Sequence, residues 1–298
     1  MSDAPAGRFP LWICRIPGLS SRERIALARR LGADGWDSDA IPPLPLEALY
    51  ALVGKPLKRG TPWKAEAALT QAERDLRALE RCGAFALTIE DARYPALLRE
   101  IYDPPYLLFC RGELPPREKP LCAIVGTRKA SAAALAEAYR IARGLAEAGV
   151  PVVSGLALGI DAMAHRGCIE GGAPTAAVLG SGVDMIYPLS NRGLARRILA
   201  NGGCILSEYP PGERAFPGHF PARNRVISAL ARGVLVEEAP ARSGALITAG
   251  FALEQNRDLW VGQAGIESRQ GEGSRKLAAD GAKPAASADV ILEEWELK

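Results

Sequence analysis

Residues 150–165 read VPVVSGLALGIDAMAH, and this stretch decides the fold. An apolar run ends at Ser154-Gly155, a glycine-containing turn follows, and a helical pattern begins near Gly159. A short apolar run of this kind suits a strand that is buried on both faces. The stretch therefore indicates a strand, a tight turn and a helix in direct succession, which is the repeating unit of a parallel α/β sheet.

The same succession recurs through the second half of the chain. Helical patterns start near Ala132, Gly159, Asn191, Ala222, Ala245 and Gly273. Alternating strands and helices predict an α/β fold, a Rossmann-like mostly parallel sheet with flanking helices. The five further strand candidates are LCAIVG (121–126), PTAAVLG (174–180), CILSE (204–208), GVLVEE (233–238) and DLWVG (258–262).

The sequence before this domain predicts a small helical domain. Ser20 or Ser21 can cap a helix over RERIALARRL that Gly32 ends, and residues 63–83 predict a longer helix closed by Gly83. Residues 41–62 are rich in proline and glycine and predict a loop. The phrase IPGLSSRERIALARRLG resembles a SAM-like or helix-hairpin-helix pair, and a plain helical pair is the alternative.

The domain boundaries follow from these patterns. We expect residues 1–82 to form the helical domain, 83–118 a connecting strand-helix segment, and 119–298 the Rossmann-like domain. The charged, proline-rich stretch RGELPPREKP (111–120) is typical of a boundary. A chain of 298 residues is long enough for two domains.

Composition argues against several function classes. The net charge of +3 does not indicate a nucleic-acid binder, so DNA binding would require a local basic pocket. Six cysteines without a C-x-x-C pair indicate buried reduced thiols, and two histidines argue against a zinc site. The N-terminus lacks a signal-peptide pattern and no apolar run reaches the roughly 18 residues of a membrane span, so we expect a cytoplasmic protein with no membrane partner.

Glycines and hydroxyl residues follow four of the predicted strands. Parallel strands place these residues at one edge of the sheet, where ligands of such sheets bind. Glycine lets backbone N–H groups approach a ligand, helix N-termini add donors, and an arginine adds a planar fork for phosphate. One glycine turn alone is usually only a tight turn, but four on one edge predict a phosphate or nucleotide site. The residues are Gly126, Thr127, Arg128, Ser154, Gly155, Gly180, Ser243, Gly244 and Thr248.

A second group of candidate residues lies in PGHFPARNRVISAL (217–230). Arg223 and Arg225 flank Asn224 where a helix begins, and they offer two phosphate forks and an amide for base edges. Phe220 stands just upstream, as a stacking platform would. The alternative is a solvated basic helix start with Phe220 in the core.

The sequence assigns no catalytic residue. Asp161 and His165 are four residues apart on a predicted helix, and we expect them to share a hydrogen bond that fixes the loop. No serine, cysteine or lysine lies in a recognisable activated setting. G-x-G-x-x-G after the first strand and G-x-x-x-x-G-K-[ST] are both missing from the sequence, which disfavours NAD and ATP, and no cofactor is expected.

These motifs resemble the DNA-processing protein A (DprA/Smf) family over about residues 90–290. YPALLREIYDPPYLLFCRG, AIVGTRKAS, VVSGLALGIDAMAH, AVLGSGVDMIYPLSN, LSEYPPG, FPARNRVISAL, VLVEEAPARSGALITA and ADGA follow in the family's order. The resemblance implies a homodimer that binds single-stranded DNA, protects incoming DNA during natural transformation and loads the RecA recombinase onto it. It implies no enzymatic activity.

The resemblance, together with the sheet-edge argument, assigns roles to individual residues. Those expected to support the pocket are Asp161, His165, Gly180 and Thr248. Those expected to bind DNA are Gly126, Thr127, Arg128, Ser154, Gly155, Phe220, Arg223, Asn224, Arg225, Ser243 and Gly244.

The chain departs from the family pattern at several positions. Pro217 stands where some members carry a lysine, and Gln263-Ala264-Gly265 stands where Pro-Gly is usual. Arg275 replaces an asparagine, which implies an altered loop or a replacement basic contact. Many members carry a C-terminal winged helix, which we expect to be missing here.

Two other functions fit the same fold. A nucleotide 5'-monophosphate phosphoribohydrolase would carry Pro-Gly-Gly-x-Gly-Thr followed closely by a glutamate, whereas this chain reads ARSGALITAGFALE. A nucleotide-sensing or scaffold module would bind mononucleotides tightly without preferring oligonucleotides.

Overall fold

The structure is a computed structural model, and it describes residues 7–33 and 44–297. Its centre is a nine-stranded sheet. The strands are β1 (Ala84–Thr88), β2 (Leu107–Gly112), β3 (Cys122–Val125), β4 (Val152–Ser154), β5 (Thr175–Leu179), β6 (Cys204–Ser207), β7 (Gly233–Val236), β8 (Asp258–Gly262) and β9 (Lys283–Ala285).

Helices cover both faces of the sheet and precede it in the chain. The described helices are α1 (Arg8–Cys14), α2 (Ser21–Ala33), α3 (Leu46–Leu52), α4 (Ala65–Cys82), α5 (Ala96–Arg99), α6 (Ala132–Glu147), α7 (Ile160–Glu170), α8 (Arg192–Ala200), α9 (His219–Leu230), α10 (Gly244–Glu254), α11 (Gln263–Glu267), α12 (Glu272–Ala279) and α13 (Ala288–Glu294). None of them is both long enough and apolar enough to cross a membrane.

The sheet order is β1-β2-β6-β5-β4-β3-β7-β8-β9. Strands β3 to β9 are all parallel to one another. Strands β1 and β2 form an antiparallel hairpin, which joins the sheet through an antiparallel pairing of β2 with β6. The predicted α/β fold with a mostly parallel sheet is therefore confirmed. The chain moves outward from β3 to β6 and then returns to place β7 beside β3, which makes the β3-β7 junction the topological switch point of the sheet.

The core has two parts because successive residues of a buried strand face opposite sides. In β3, Cys122 and Ile124 pack in the cluster that includes residues of α6 and α7, whereas Ala123 and Val125 pack in the larger cluster that extends to the N-terminal helices. All four side chains are buried. This arrangement explains why the strand candidates are continuous apolar runs instead of alternating ones.

The N-terminal helices follow the sequence predictions in part. Ser20 and Glu23 form a reciprocal capping box at the start of α2, with N–H···O distances of 2.7 and 3.3 Å. The prediction that Gly32 ends this helix is wrong, since α2 continues to Ala33. Gly83 ends α4 with a φ of 65°, as predicted.

Two further predictions about local structure need correction. The predicted loop over 41–62 contains α3, whose residues Leu46 and Leu49 are buried; residues 41–43 lie outside the described residues. Helix α9 begins at His219, three residues before the predicted start at Ala222. The division of the chain at residues 83 and 119 stays a prediction.

Candidate nucleic-acid interface

A cleft of about 460 Å³ opens at the carboxyl ends of β3 and β7, which is the switch point of the sheet. The turn after β3, the first turns of α9 and the loop before α10 form its walls. Predicted residues that line it are Gly126, Thr127, Arg128, Asp161, Phe220, Arg223, Asn224, Ser243, Gly244 and Thr248. The structure thus brings together residues that are more than 100 positions apart in the sequence.

The turn after β3 is held by the backbone. The N–H of Thr127 donates to the carbonyl of Glu238 at 2.8 Å, and the N–H of Ile160 donates to the carbonyl of Thr127 at 3.4 Å. A Cβ atom at Gly126 would lie 2.5 Å from Cγ1 of Ile160, so glycine is required for this approach. The turn presents Arg128 to solvent at the mouth of the cleft.

The loop from Gly155 to Gly159 docks on this turn. The Asp161 carboxylate accepts the N–H groups of Gly155 and Ala157, both at 3.2 Å. The Asn191 side chain donates to the carbonyls of Leu156 and Ala157 at 2.9 and 3.2 Å. Gly159 has a φ of 77°, and a Cβ there would lie 2.4 Å from the carbonyl oxygen of Thr127.

The prediction of a hydrogen bond between Asp161 and His165 is wrong. Asp161 is occupied by the loop amides, and Nδ1 of His165 instead lies 2.8 Å from the hydroxyl of Thr175. That hydroxyl donates to the carbonyl of Val152, so Nδ1 must donate to it and Nε2 carries no proton. Burial, and secondarily the positive charge of Arg223, lower the pKa of His165 from 6.5 to about 3.

Arg223 supports the wall of the cleft. Only 6% of the residue is exposed, and its Nη1 donates to the carbonyls of Gly155, at 2.9 Å, and Val178. A Cβ at Gly155 would lie 2.5 Å from this nitrogen. Burial lowers the pKa of the guanidinium to about 10, against the opposing effect of Asp161, so the group remains cationic at neutral pH. It adds charge beneath the cleft, and part of its predicted phosphate fork is engaged by carbonyls.

The structure does not bring Arg225 to the cleft. Two residues along an α-helix correspond to about 200° of rotation, so Arg223 and Arg225 face opposite ways. Arg225 pairs with Glu208 at 2.6 and 2.7 Å and approaches Asp103 at 3.6 Å. Asn224, which lies between the two arginines in the sequence, donates to the carbonyl of Gly244 at 3.1 Å. This hydrogen bond joins α9 to the start of α10.

Ser154 is also misplaced by the sequence argument. It is fully buried, and its hydroxyl donates to the carbonyl of Ile124 at 2.6 Å, so it fixes β4 to β3 instead of facing a ligand. Ser243 caps α10 by accepting the N–H of Ala245 at 3.2 Å. Gly180 packs under the site, since a Cβ there would lie 3.3 Å from both His219 and Phe220.

Phe220 lies within the first turn of α9 and is half-buried. The Arg128 guanidinium lies 5.3 Å from the centre of the Phe220 ring. The centre of the Tyr187 ring lies 5.7 Å from the centre of the Phe220 ring. Tyr187 is 49% exposed and was missed by the sequence argument, although it follows the third strand candidate at the same sheet edge. Arg128, Tyr187 and Phe220 also line a smaller cavity of about 60 Å³ beside the main cleft.

The cleft is locally basic. Arg128, Lys129, Arg223 and Arg242 line it, and Asp161 is the one carboxylate among its described lining residues. Because that carboxylate already accepts two loop amides, an anion entering the cleft meets mainly cations and N–H groups. Across residues 7–33 and 44–297, no group of acidic, histidine or cysteine side chains could hold a metal ion.

The structure explains one of the departures from the family pattern, Arg275. Arg275 donates to the carbonyls of Ile266 and Ser268 at 3.1 and 2.7 Å, and so fixes the loop between α11 and α12. Its guanidinium is therefore engaged within the loop, which favours the altered loop over a replacement DNA contact. Pro217 is exposed just before α9.

Known proteins are similar to this chain in sequence. The family described as DNA recombination-mediator protein A matches residues 85–296. DNA processing protein DprA of Streptococcus pneumoniae is 42% identical over 211 residues, which cover 71% of this chain and 74% of the relative. Protein Smf of Synechocystis is 45% identical over 215 residues, covering 71% of this chain and 52% of the relative.

Two solved structures extend the comparison. The X-ray structure of the Streptococcus pneumoniae protein superposes with a TM-score of 0.76 at 32% identity, covering 98% of this chain and 99% of that one. A Helicobacter pylori DNA processing protein A, described for its unique single-stranded DNA binding mode, gives a TM-score of 0.62 at 29% identity, covering 70% of this chain and 95% of that one. The chain therefore belongs to the DNA recombination-mediator protein A family, whose curated relatives are named DprA and Smf.

Proposed function

We propose that this protein binds single-stranded DNA in the cleft at the β3-β7 junction. The observation that carries the proposal is the Arg128 guanidinium over the Phe220 ring, at 5.3 Å, beside glycine turns at the switch point. Backbone amides and arginines hold phosphates, and an aromatic ring can stack on a base. The single-stranded DNA binding described for the Helicobacter pylori protein supports the same ligand class.

The aromatic groups favour an unpaired strand over a duplex. Phe220 lines both cavities and Tyr187 lines the smaller one, with the centres of their rings 5.7 Å apart. Stacking requires a base whose face is free, which a duplex provides only at its ends. Cation–phosphate contacts release counterions, so affinity should fall as salt rises, and the small number of cations should keep that dependence shallow.

The relatives named DNA processing protein support a role in handling DNA, and we propose that this role belongs to natural transformation. We propose that the bound strand is protected and then passed to the RecA recombinase, and that this takes place in the cytoplasm. No catalytic step is part of the proposal: burial raises the pKa of the Cys168 thiol to about 12, and the imidazole of His165 is buried and neutral. Release of free adenine from AMP by the purified protein would contradict this part.

We propose that the protein acts as a homodimer through helix α10. Ile247 and Leu253 on this helix are 42% and 63% exposed, and Gly250 between them is also exposed. Exposed apolar side chains grouped on one helix are typical of an interaction surface. Leu253→Glu should convert a dimer to a monomer in light scattering, whereas Leu189→Glu, at an equally exposed leucine on another surface, should not.

Fluorescence anisotropy with labelled dT20 tests the DNA proposal. Arg128→Ala should weaken binding by about tenfold and reduce the salt dependence by one phosphate contact. Phe220→Leu should cost about 1–3 kcal/mol through lost stacking. Arg196→Ala removes the same charge from the exposed surface of α8, outside the cleft, and should bind as the unmodified protein does.

Two results would refute the assignment. Equal affinity of the Arg128→Ala and Arg196→Ala variants would place the strand elsewhere on the surface. Equal affinity for dT20 and for a 20-base-pair duplex at 50 and 200 mM salt would remove the basis for stacking on Phe220.

A further inference from the structure

A larger groove lies at the opposite edge of the sheet from the DNA cleft. It opens where the chain leaves β2 at Gly112 and runs to β3 at Cys122, and its volume is about 720 Å³. The connecting residues 113–121 form one side of it, and α5 and the end of α9 form the others. We call it the linker groove; it shares no lining residue with the DNA cleft.

The interior of the linker groove is apolar. Ala176 of β5, Leu206 of β6 and Leu230 of α9 line its base, and Leu97 and Leu114 line its sides. A volume of this size falls within the range of about 300–1,000 Å³ that is usual for small-molecule sites. The groove can therefore take an apolar body out of water without a change of fold.

Cations outnumber carboxylates in the lining of the linker groove. Arg93, Arg99, Arg117, Lys119 and Arg232 line it, against Glu113 as the acidic member of the described lining. Arg93 pairs with Asp91, Arg99 donates to backbone carbonyls, and Arg232 lies 3.8 Å from Asp258.

Arg117 and Lys119 are the exposed cations on the connecting segment itself. An apolar interior with a cationic opening is complementary to a molecule that has an apolar body and one negative charge.

The backbone of the linker groove disfavours a peptide. Pro95, Pro115, Pro116 and Pro120 line it, and none of them has an N–H group to donate. A bound extended peptide would lose water from its carbonyl groups without gaining donors from these positions, which costs free energy. An aliphatic or aromatic anion has no such groups in its apolar part.

We propose that the linker groove binds a small apolar anion, with its apolar body against Leu97, Leu206 and Leu230 and its acidic group near Arg117 and Lys119. A fatty carboxylate and an alkyl phosphate share this chemistry. This site is separate from DNA binding, and the chain carries it on the surface away from the cleft.

The fluorescence of 1-anilinonaphthalene-8-sulfonate added to the full chain tests the proposal. We expect saturable binding that dodecanoate or dodecyl phosphate displaces and that the neutral dodecanol does not. Stronger displacement by dodecanoate would assign the site to a carboxylate, and stronger displacement by dodecyl phosphate would assign it to a phosphate ester. Displacement by dodecanol equal to that by both anions would overturn the requirement for charge.

Charge variants locate the site. The double variant Arg117→Ser/Lys119→Ser should bind the probe about fivefold more weakly, since each exposed charge contributes modestly. Arg77→Ser/Arg81→Ser removes two exposed charges from α4, outside the groove, and should bind the probe as the unmodified chain does. Leu114→Glu should abolish probe binding while circular dichroism remains unchanged.

Equal probe affinity in the two double variants would overturn the proposal. Binding of dT20 is measured in parallel and should be the same in all of these variants. Loss of probe binding with dT20 binding intact separates the linker groove from the DNA cleft, so the failure of one proposal leaves the other standing.

Discussion

Acidification should destabilise this protein through His165, and His165→Gln should remove most of that effect. His165 is fully buried, its Nδ1 donates to Thr175, and its Nε2 has no hydrogen-bond partner within the described ranges. A proton on Nε2 would be a buried, unpaired charge close to Arg223.

The pKa is about 3 in the folded state and 6.5 for the ordinary side chain, so the unfolded chain binds more protons between these values. The stability that neutral His165 provides is therefore present above pH 6.5 and is lost as the pH falls towards 3. From pH 7 to pH 5 this one group should lower the free energy of unfolding by about 2 kcal/mol.

Urea unfolding followed by tryptophan fluorescence at pH 7 and pH 5 measures this quantity. Other groups also titrate in this range, so the informative number is the difference between the pH effects on the unmodified protein and on His165→Gln. Glutamine keeps a donor for the Thr175 hydroxyl but carries no titratable group. If both proteins lose the same free energy of unfolding within about 0.5 kcal/mol, the buried neutral imidazole is not the cause.

Three further outcomes follow from the packing around the cleft. Gly159→Ala should lower the free energy of unfolding, measured with urea, by more than Gly172→Ala does, and it should also weaken dT20 binding. Both glycines have a positive φ, but only a Cβ atom at Gly159 would meet backbone, 2.4 Å from the carbonyl oxygen of Thr127. Ser154→Ala should cost about 1 kcal/mol of unfolding free energy and leave dT20 affinity unchanged, a result that a ligand-binding hydroxyl would contradict. Burial, and after it the neighbouring carboxyl of Glu137, raise the pKa of Glu237, so the ionised side chain destabilises the fold more as the pH rises. Glu237→Gln should therefore unfold at a higher urea concentration than the unmodified protein at pH 8, and equal midpoints would contradict this.

The glycine turns could be predicted because each follows an apolar run directly. The contacts that require Gly126 and Gly159, with Ile160 and Thr127, join two different strand-turn-helix units and were not predicted. The neighbours of each strand could not be predicted in this way, since sheet order depends on the path of the connections. Ser154 shows the result: its hydroxyl faces Ile124 because β3 lies beside β4, and no local pattern contains that information.

The start of α9 explains the error at Arg225. A helix that begins at Ala222 leaves the following side chains at its flexible first turn, where both arginines could turn towards a ligand. The helix begins at His219, so the orientations of Arg223 and Arg225 are already fixed by helical periodicity. Strand β9 was missed for a different reason: it has three residues, Lys283–Ala285, and includes a proline, so it forms no apolar run.

The pairing of β2 with β6 determines how the polypeptide can be shortened. Four residue pairs, from Phe109 with Ser207 to Gly112 with Cys204, cover the side of β6 that faces away from β5. A fragment that starts at Lys119 would expose the N–H and C=O groups of that strand, and exposed strand edges pair with other chains and aggregate. A soluble shortened protein must therefore keep the hairpin and begin upstream of Ala84.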